Sequence, residues 1–192
     1  KDLSKLAKKN RIPLLLDLGC GVIADFDKLG LPNKSTIKTY LNSGASVVCF
    51  SGDKLLGGPQ SGIICGKKTL IKKIQQNPLY RAFRSDKFTY AILESILRTY
   101  LSNTNFKKDN LVMNLFTRSQ SELEIVAKKI IKKLSSSIRR KYEIKMIVTE
   151  VEAGSGSLPL AKIPSLAIVI KSNLKASDLS RSFRNAQSPV IG

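Results

Sequence analysis

Three short apolar runs constrain this chain more than anything else in it: IPLLLD at 12–17, ASVVCF at 45–50 and SGIICG at 61–66. Each is too short for a self-standing helix and lacks the alternation of a strand with one wet face. Such runs read as strands buried on both faces, the pattern of a parallel sheet. Gly19 and Gly21 supply a turn after the first run. KSTIKTYLNS (34–43) is then a candidate helix, with Gly44 as its stop signal. Strand, helix, strand in this order predicts an α/β layer fold.

The rest of the chain is read from its periodicity. Residues 1–10 resemble the end of an amphipathic helix, with Leu3 and Leu6 among lysines. KKTLIKKIQQ (67–76) and KFTYAILESILRTYL (87–101) are predicted helices on either side of NPLYRAFRSD. The polar stretch SNTNFKKDN (102–110) is the best candidate boundary, dividing the chain into domains at 1–103 and 104–192. Beyond it lies a helix near 119–135, with Leu123, Val126, Ile130 and Leu134 assigned to one face. A strand at 141–152, a turn at EAGSGSLP, a strand at PSLAIVIKS and a helix at ASDLSRSFRNA complete a small α/β layer.

Composition removes whole classes of chemistry. The 192 residues contain no histidine, so a Ser-His-Asp triad, an HExxH zinc site and a histidine proton shuttle are all excluded. Catalysis must rest on Lys, Asp, Glu, Arg, Cys, Tyr or a cofactor. Cys20, Cys49 and Cys65 form no CxxC pair and sit in apolar segments, where free thiols pack like small hydrophobes. They read as reduced core residues of a cytoplasmic protein with no bound metal. No apolar run approaches the roughly 20 residues that span a bilayer. The basic N-terminus lacks the apolar continuation of a secretion signal, and the chain as a whole has the look of an excised fragment.

The segment SGDKLLGGPQ (51–60) carries the sharpest chemical suggestion. One lysine, Lys54, stands at the end of an apolar strand among glycines that permit close approach. Burial disfavours a lysine's ammonium form, and a neutral amine attacks carbonyls to form a Schiff base. From the loop alone, a solvated lysine in a surface turn is the favoured reading, because lysine is usually exposed. Asp17, which closes the first apolar run, changes the balance. A pyridoxal phosphate site needs an acid at the ring nitrogen and a lysine at the ring aldehyde, and adjacent strand ends place both. LLLDLGCG also resembles the first motif of S-adenosylmethionine methyltransferases, but Val22 and Ile23 stand where a third glycine belongs. The acid expected after the next strand is missing as well.

FSGDKLLGGPQSGIICGKK resembles the cofactor-lysine segment of bacterial L-seryl-tRNA(Sec) selenium transferases, the selenocysteine synthases. The similarity extends through LLLDLGCG, GLP at 30–32, NPLYRAFRSDKFTYAILESILRTY, GSLP at 156–159 and the terminal PVIG. Cys20 stands where that family usually has serine. The resemblance implies the C-terminal half of a fold-type-I pyridoxal phosphate large domain, mainly of parallel sheet, followed by a small α/β domain. It implies that Lys54 holds pyridoxal 5'-phosphate, that Asp17 faces the ring nitrogen and that Asp53 beside the lysine is needed for activity. Arg81 and Arg84 are implied to grip selenophosphate. Their i, i+3 spacing independently suits one helix face and an anion fork, although a solvated basic face accounts for them as well.

The implied reaction is conversion of seryl-tRNA(Sec) to selenocysteinyl-tRNA(Sec) by a ring-shaped homo-oligomer, a decamer, with no membrane association. Because the N-terminal part of such a protein lies outside the matched stretch, the resemblance also implies that this stretch alone holds only the lysine half of the site and is inactive by itself. A net charge of +19 fits an RNA partner, but many lysines fall on helix faces that solvent explains. Two other readings stay open: a basic RNA-binding remnant without chemistry, and a different fold-type-I enzyme performing β-elimination.

Overall fold

The computed structural model describes residues 2–32, 34–101, 106–153 and 158–190, the last stretch with side chains from residue 162 onward. The chain divides into two compact units: residues 1–118 with 151–163, and residues 119–150 with 164–192.

The first unit opens with helix α1 (Asp2–Lys9), followed by strand β1 (Leu15–Asp17). Short helices α2 (Phe26–Leu29) and α3 (Ile37–Asn42) lead to β2 (Val47–Ser51) and β3 (Gly62–Gly66). Thr36 caps α3 by accepting from the Thr39 N–H, which satisfies one of the donors a helix start leaves open. Helices α4 (Lys68–Gln76), α5 (Pro78–Ala82), α6 (Lys87–Leu101), α7 (Phe106–Asp109) and α8 (Leu111–Phe116) come next.

The sheet order is β1-β2-β3. β1 and β2 are parallel, with Asp17 opposite Cys49. β3 corrects the expectation of a parallel sheet, because it runs antiparallel to β2 with Ser51 opposite Gly62. The loop 52–61 is too short for the crossover that a parallel pair needs, so the chain returns as a hairpin. β1 is also less buried than its apolar run suggested. It is an edge strand of this sheet, so Leu15 is exposed while Leu16 packs on the core.

Two core clusters meet at the loop after β2. One gathers Cys20, Val22, Phe26, Leu31, Leu55 and Met113. The other gathers Ile37, Ala45, Val48, Phe50 and Leu56. The consecutive leucines Leu55 and Leu56 thus enter different clusters. Asn110, the last residue of the polar stretch expected to end the domain, and Met113 just after it join this core; both are fully buried. The polar composition of 102–110 is therefore compatible with a chain that turns back into the same unit.

The second unit holds α9 (Gln120–Lys132), α10 (Ser136–Lys141) and α11 (Ala176–Arg184), with parts of the two-stranded sheet of β4 (Lys145–Ala153) and β5 (Leu158–Val169). The expected strand start at 141 is corrected to 145, because Ser135 caps a further turn of helix ending at Lys141. The buried stripe of α9 is also shifted. Ala127 is buried, and Leu123, Ile131 and Leu134 are half-buried, whereas Val126 and Ile130 face solvent. The buried face runs through Ala127 and Ile131, one position on from Val126 and Ile130, and both sets keep helical spacing, so four apolar residues alone do not decide between them. The turn expected at EAGSGSLP and the end of PVIG fall largely outside the described residues.

Ser119 begins α9 with a capping box: its hydroxyl accepts from the Glu122 N–H, and the Glu122 carboxylate accepts from the Ser119 N–H at 2.8 Å. Ser119→Ala is expected to destabilise this unit by about 1 kcal/mol. Loss of α9 amide protection in hydrogen exchange is the measurement, and unchanged protection would show the cap to be dispensable.

Candidate active site

Asp17 ends β1 and is exposed, with its Oδ1 accepting from the Gly19 N–H at 2.9 Å. That bond closes a tight Asp turn. The turn is tied to β2 on both sides of Gly19: the Leu18 N–H donates to the Cys49 carbonyl at 2.9 Å, and the Ser51 N–H to the Gly19 carbonyl at 3.2 Å. Gly19 has φ +57°, and a Cβ placed there would lie 3.9 Å from the Nζ of Lys54. The lysine amine therefore rests over the Gly19 turn, beside the residues that fix Asp17. The structure brings these two predicted site residues to one end of one sheet. No ion pair joins them among the described residues.

The Lys54 loop is held from below. The Gly52 N–H donates to the Ser61 carbonyl, the Gly58 N–H to the Gly52 carbonyl and the Gly57 N–H to the Lys54 carbonyl, at 2.8, 2.8 and 2.9 Å. Lys54 itself is half-buried and Asp53 is exposed. Two residues that sequence reasoning missed clamp the loop's far side. Tyr100 Oη and Asn110 Nδ2 both donate to the Leu56 carbonyl, at 2.9 and 3.1 Å. Asn110 Oδ1 in turn accepts from the Met113 N–H at 3.0 Å, capping α8. Gly57 has φ +77°, and a side chain there would press on the Asn110 amide. Burial pushes the Tyr100 hydroxyl well above the ordinary tyrosine range, in keeping with its role as a donor to the Leu56 carbonyl. The only sequence signal for this clamp was an asparagine before the apolar run LVMNLF, which reads as a helix cap and not as a loop anchor.

The arginines stand apart. Arg81 lies in the last turn of α5 and Arg84 beyond its end, past the cap residue Phe83. The shared helix face expected from their spacing is corrected accordingly: α5 is too short to include both. The Arg84 N–H reaches the Arg81 carbonyl in a turn, and both side chains are exposed. No hydrogen bond or ion pair links either arginine to Asp17 or Lys54 among the described residues.

The three cysteines are free, with Cys20 buried and Cys49 and Cys65 half-buried on facing strands. Burial pushes the Cys49 thiol up, and the Asp17 carboxylate adds to this. Its thiolate therefore forms at higher pH than that of an ordinary cysteine. Alkylation of Cys49, tracked by peptide mass spectrometry, is expected to be slow at neutral pH and to speed up modestly in Asp17→Asn, which removes the smaller of the two causes. An unchanged rate in that variant would show that Asp17 does not act on the thiol.

The family comparison is decisive. The model described as L-seryl-tRNA selenium transferase matches residues 1–192. This chain belongs to that family. Among curated relatives, the L-seryl-tRNA(Sec) selenium transferase of Haemophilus influenzae strain PittEE is 39% identical over 194 residues, which cover 100% of this chain and 42% of the relative. Those of Proteus mirabilis and Escherichia fergusonii are 38% and 35% identical, again with 42% of each relative covered. The chain thus spans about two fifths of the length of the relatives it matches. Among the described residues, no helix is long and apolar enough to cross a membrane.

Proposed function

We propose that the chain is the lysine-bearing part of a pyridoxal phosphate-dependent transferase that converts seryl-tRNA(Sec) to selenocysteinyl-tRNA(Sec) with selenophosphate. The observation that carries this reading is the Lys54 amine resting over the Gly19 turn, at the same sheet end as Asp17. The residues suit the group: an amine and a carboxylate stand at neighbouring strand ends, and Gly19 puts no side chain beside the amine. When bound, pyridoxal phosphate supplies the electron sink that lets a proton leave the serine α-carbon.

The chain's own residues account for the remaining steps. Lys54 would hold the cofactor, and its amine, when free, would take the proton from the serine α-carbon. Asp17, its orientation set by the Gly19 N–H, would face the ring nitrogen. Asp53, next to the lysine, is assigned to support that proton transfer. Arg81 and Arg84 are assigned to the anionic selenium donor, which in this reading reaches them through a rearrangement or a neighbouring subunit. The serine hydroxyl is replaced by a selenol, and phosphate is released.

The same reading takes the chain as the C-terminal part of a fold-type-I enzyme, working in the cytoplasm as a ring-shaped homo-oligomer. Phe83 and Phe88, each 82% exposed, support an assembled state. The test of the chemistry is covalent: the full-length protein that contains this chain is incubated with pyridoxal phosphate, reduced with borohydride and digested. A pyridoxyl label on Lys54 supports the reading, and a folded full-length protein without that label sinks it.

A further inference from the structure

At the end of the sheet away from Lys54, the structure has a second feature that this chemistry does not use. α1, the turn after α3 and the start of α4 enclose a cleft of about 600 Å³. Lys5, Lys8, Arg11 and Lys67 line it, together with Gly44 and Ser46. All four cations are exposed, and none is in an ion pair among the described residues. No carboxylate lines the cleft; Asp2, the acid of α1, is not among its lining residues. The contrast is with a cleft in the second unit, where Lys145 and Lys171 both pair with Glu143, at 4.0 and 2.7 Å.

Arg11 is also held in an unusual backbone state. It has φ +55° and ends α1, with its N–H donating to the Lys8 carbonyl and the Ile12 N–H to the Ala7 carbonyl. Glycine occupies that position most easily, and a longer side chain costs about 1–2 kcal/mol there. The helix end therefore carries a guanidinium at the cleft in spite of the backbone cost.

We propose that this cleft is a docking surface for the phosphate backbone of an RNA, and that it grips the body of the substrate RNA of the reading above, on which it rests. Four uncompensated cations repel one another and attract a polyanion, which gains by releasing its condensed counterions. Ser46 precedes β2, whereas Lys54 lies past its far end. The cleft is therefore separated from the lysine loop by a strand length of about 16 Å. That separation suits a macromolecule reaching across the unit and does not suit the phosphate of a small substrate at Lys54. The cleft carries no exposed aromatic ring for base stacking among the lining residues, so the contact reads backbone charge and not sequence.

The test uses the full-length protein that contains this chain and unacylated tRNA(Sec) transcript, with affinity measured across a salt series. Reversal at Lys8→Glu/Arg11→Glu is expected to weaken binding at least about tenfold and to flatten the log affinity against log salt slope by roughly 0.7–0.9 per lost phosphate contact. The milder pair Lys5→Gln/Lys67→Gln is expected to flatten it by a smaller amount, and covers the case in which the reversal does not fold. The comparison variant, Lys107→Glu/Lys108→Glu on exposed α7, changes net charge equally and is expected to retain most of the slope. An equal loss in that variant, or an unchanged slope in both cleft variants, would overturn the proposal. Lys54 labelling is monitored in parallel. Loss of RNA grip with intact labelling in the cleft variants supports the surface, whereas a wild-type chain that binds RNA but never labels overturns only the catalytic reading.

Discussion

Under the proposed function, Lys54→Ala in the full-length protein containing this chain is expected to remove the borohydride-fixed pyridoxyl label completely and to lower selenium transfer by at least about 10³-fold, with the fold intact. The size of the effect stems from the two roles given to one amine, as covalent anchor and as proton carrier, each of which typically contributes orders of magnitude. The fold survives because Lys54 is half-buried and its amine lies over glycine, so truncation leaves no buried partner unsatisfied. Peptide mass spectrometry after reduction reports the first outcome, and far-ultraviolet circular dichroism the second. Asp17→Asn makes the complementary case. It keeps an acceptor for the Gly19 N–H but loses the charge, so label on Lys54 persists while turnover falls. Label migrating to another lysine in the Lys54→Ala chain would refute the assignment outright.

Asn110→Ala is expected to destabilise the first unit by about 3 kcal/mol. The side chain is completely buried and serves two buried backbone groups, the Leu56 carbonyl and the Met113 N–H. Leaving such groups unpaired costs about 1–3 kcal/mol each, and the Met113 N–H has no substitute. Leu56 keeps the Tyr100 hydroxyl, which is why the total stays below the sum of two full losses. Tyr100→Phe is expected to cost about 1 kcal/mol on the same scale. Urea unfolding of the full chain, read as a midpoint shift at constant slope, checks both values. A shift under about 0.5 kcal/mol for Asn110→Ala would mean that the clamp on the lysine loop does not hold it.

These two expectations differ in how much of them the sequence could supply. The lysine was visible because the loop around it is chemically peculiar: one cation, three glycines and a proline after an apolar strand. The acid was visible because it closes a neighbouring apolar run. Local composition suffices when a site lies at strand ends, where the chain must turn and leave its polar side chains exposed. The same logic placed α6 at Lys87–Leu101 and α4 within one residue of the expected start, since long periodic helices are fixed by their own pattern.

The clamp was not visible, because it joins Leu56 to Tyr100 and Asn110 across separations of 44 and 54 residues. No short-range rule links an asparagine cap to a carbonyl in a distant loop. The arginine pair failed in the opposite direction. The i, i+3 rule presumes a continuing helix, and α5 ends at Ala82. The α9 stripe slipped for a related reason. Its sequence carries apolar residues on more than one face, and only packing chose Ala127 over Val126 and Ile130.

By itself, the sequence determined the α/β character of the chain, the exclusion of histidine chemistry and the identity of the lysine and acid at the strand ends. Those features depend on residue type and on spacing within one element, which the chain carries locally. The tertiary structure decided the antiparallel return of β3, the edge exposure of Leu15 and the reach of Asn110 into the lysine loop. It also gathered Lys5, Lys8, Arg11 and Lys67, spread over 62 positions of sequence, around one cleft. Each of these is a meeting of distant segments, set by which apolar faces find partners and which buried backbone groups must be satisfied.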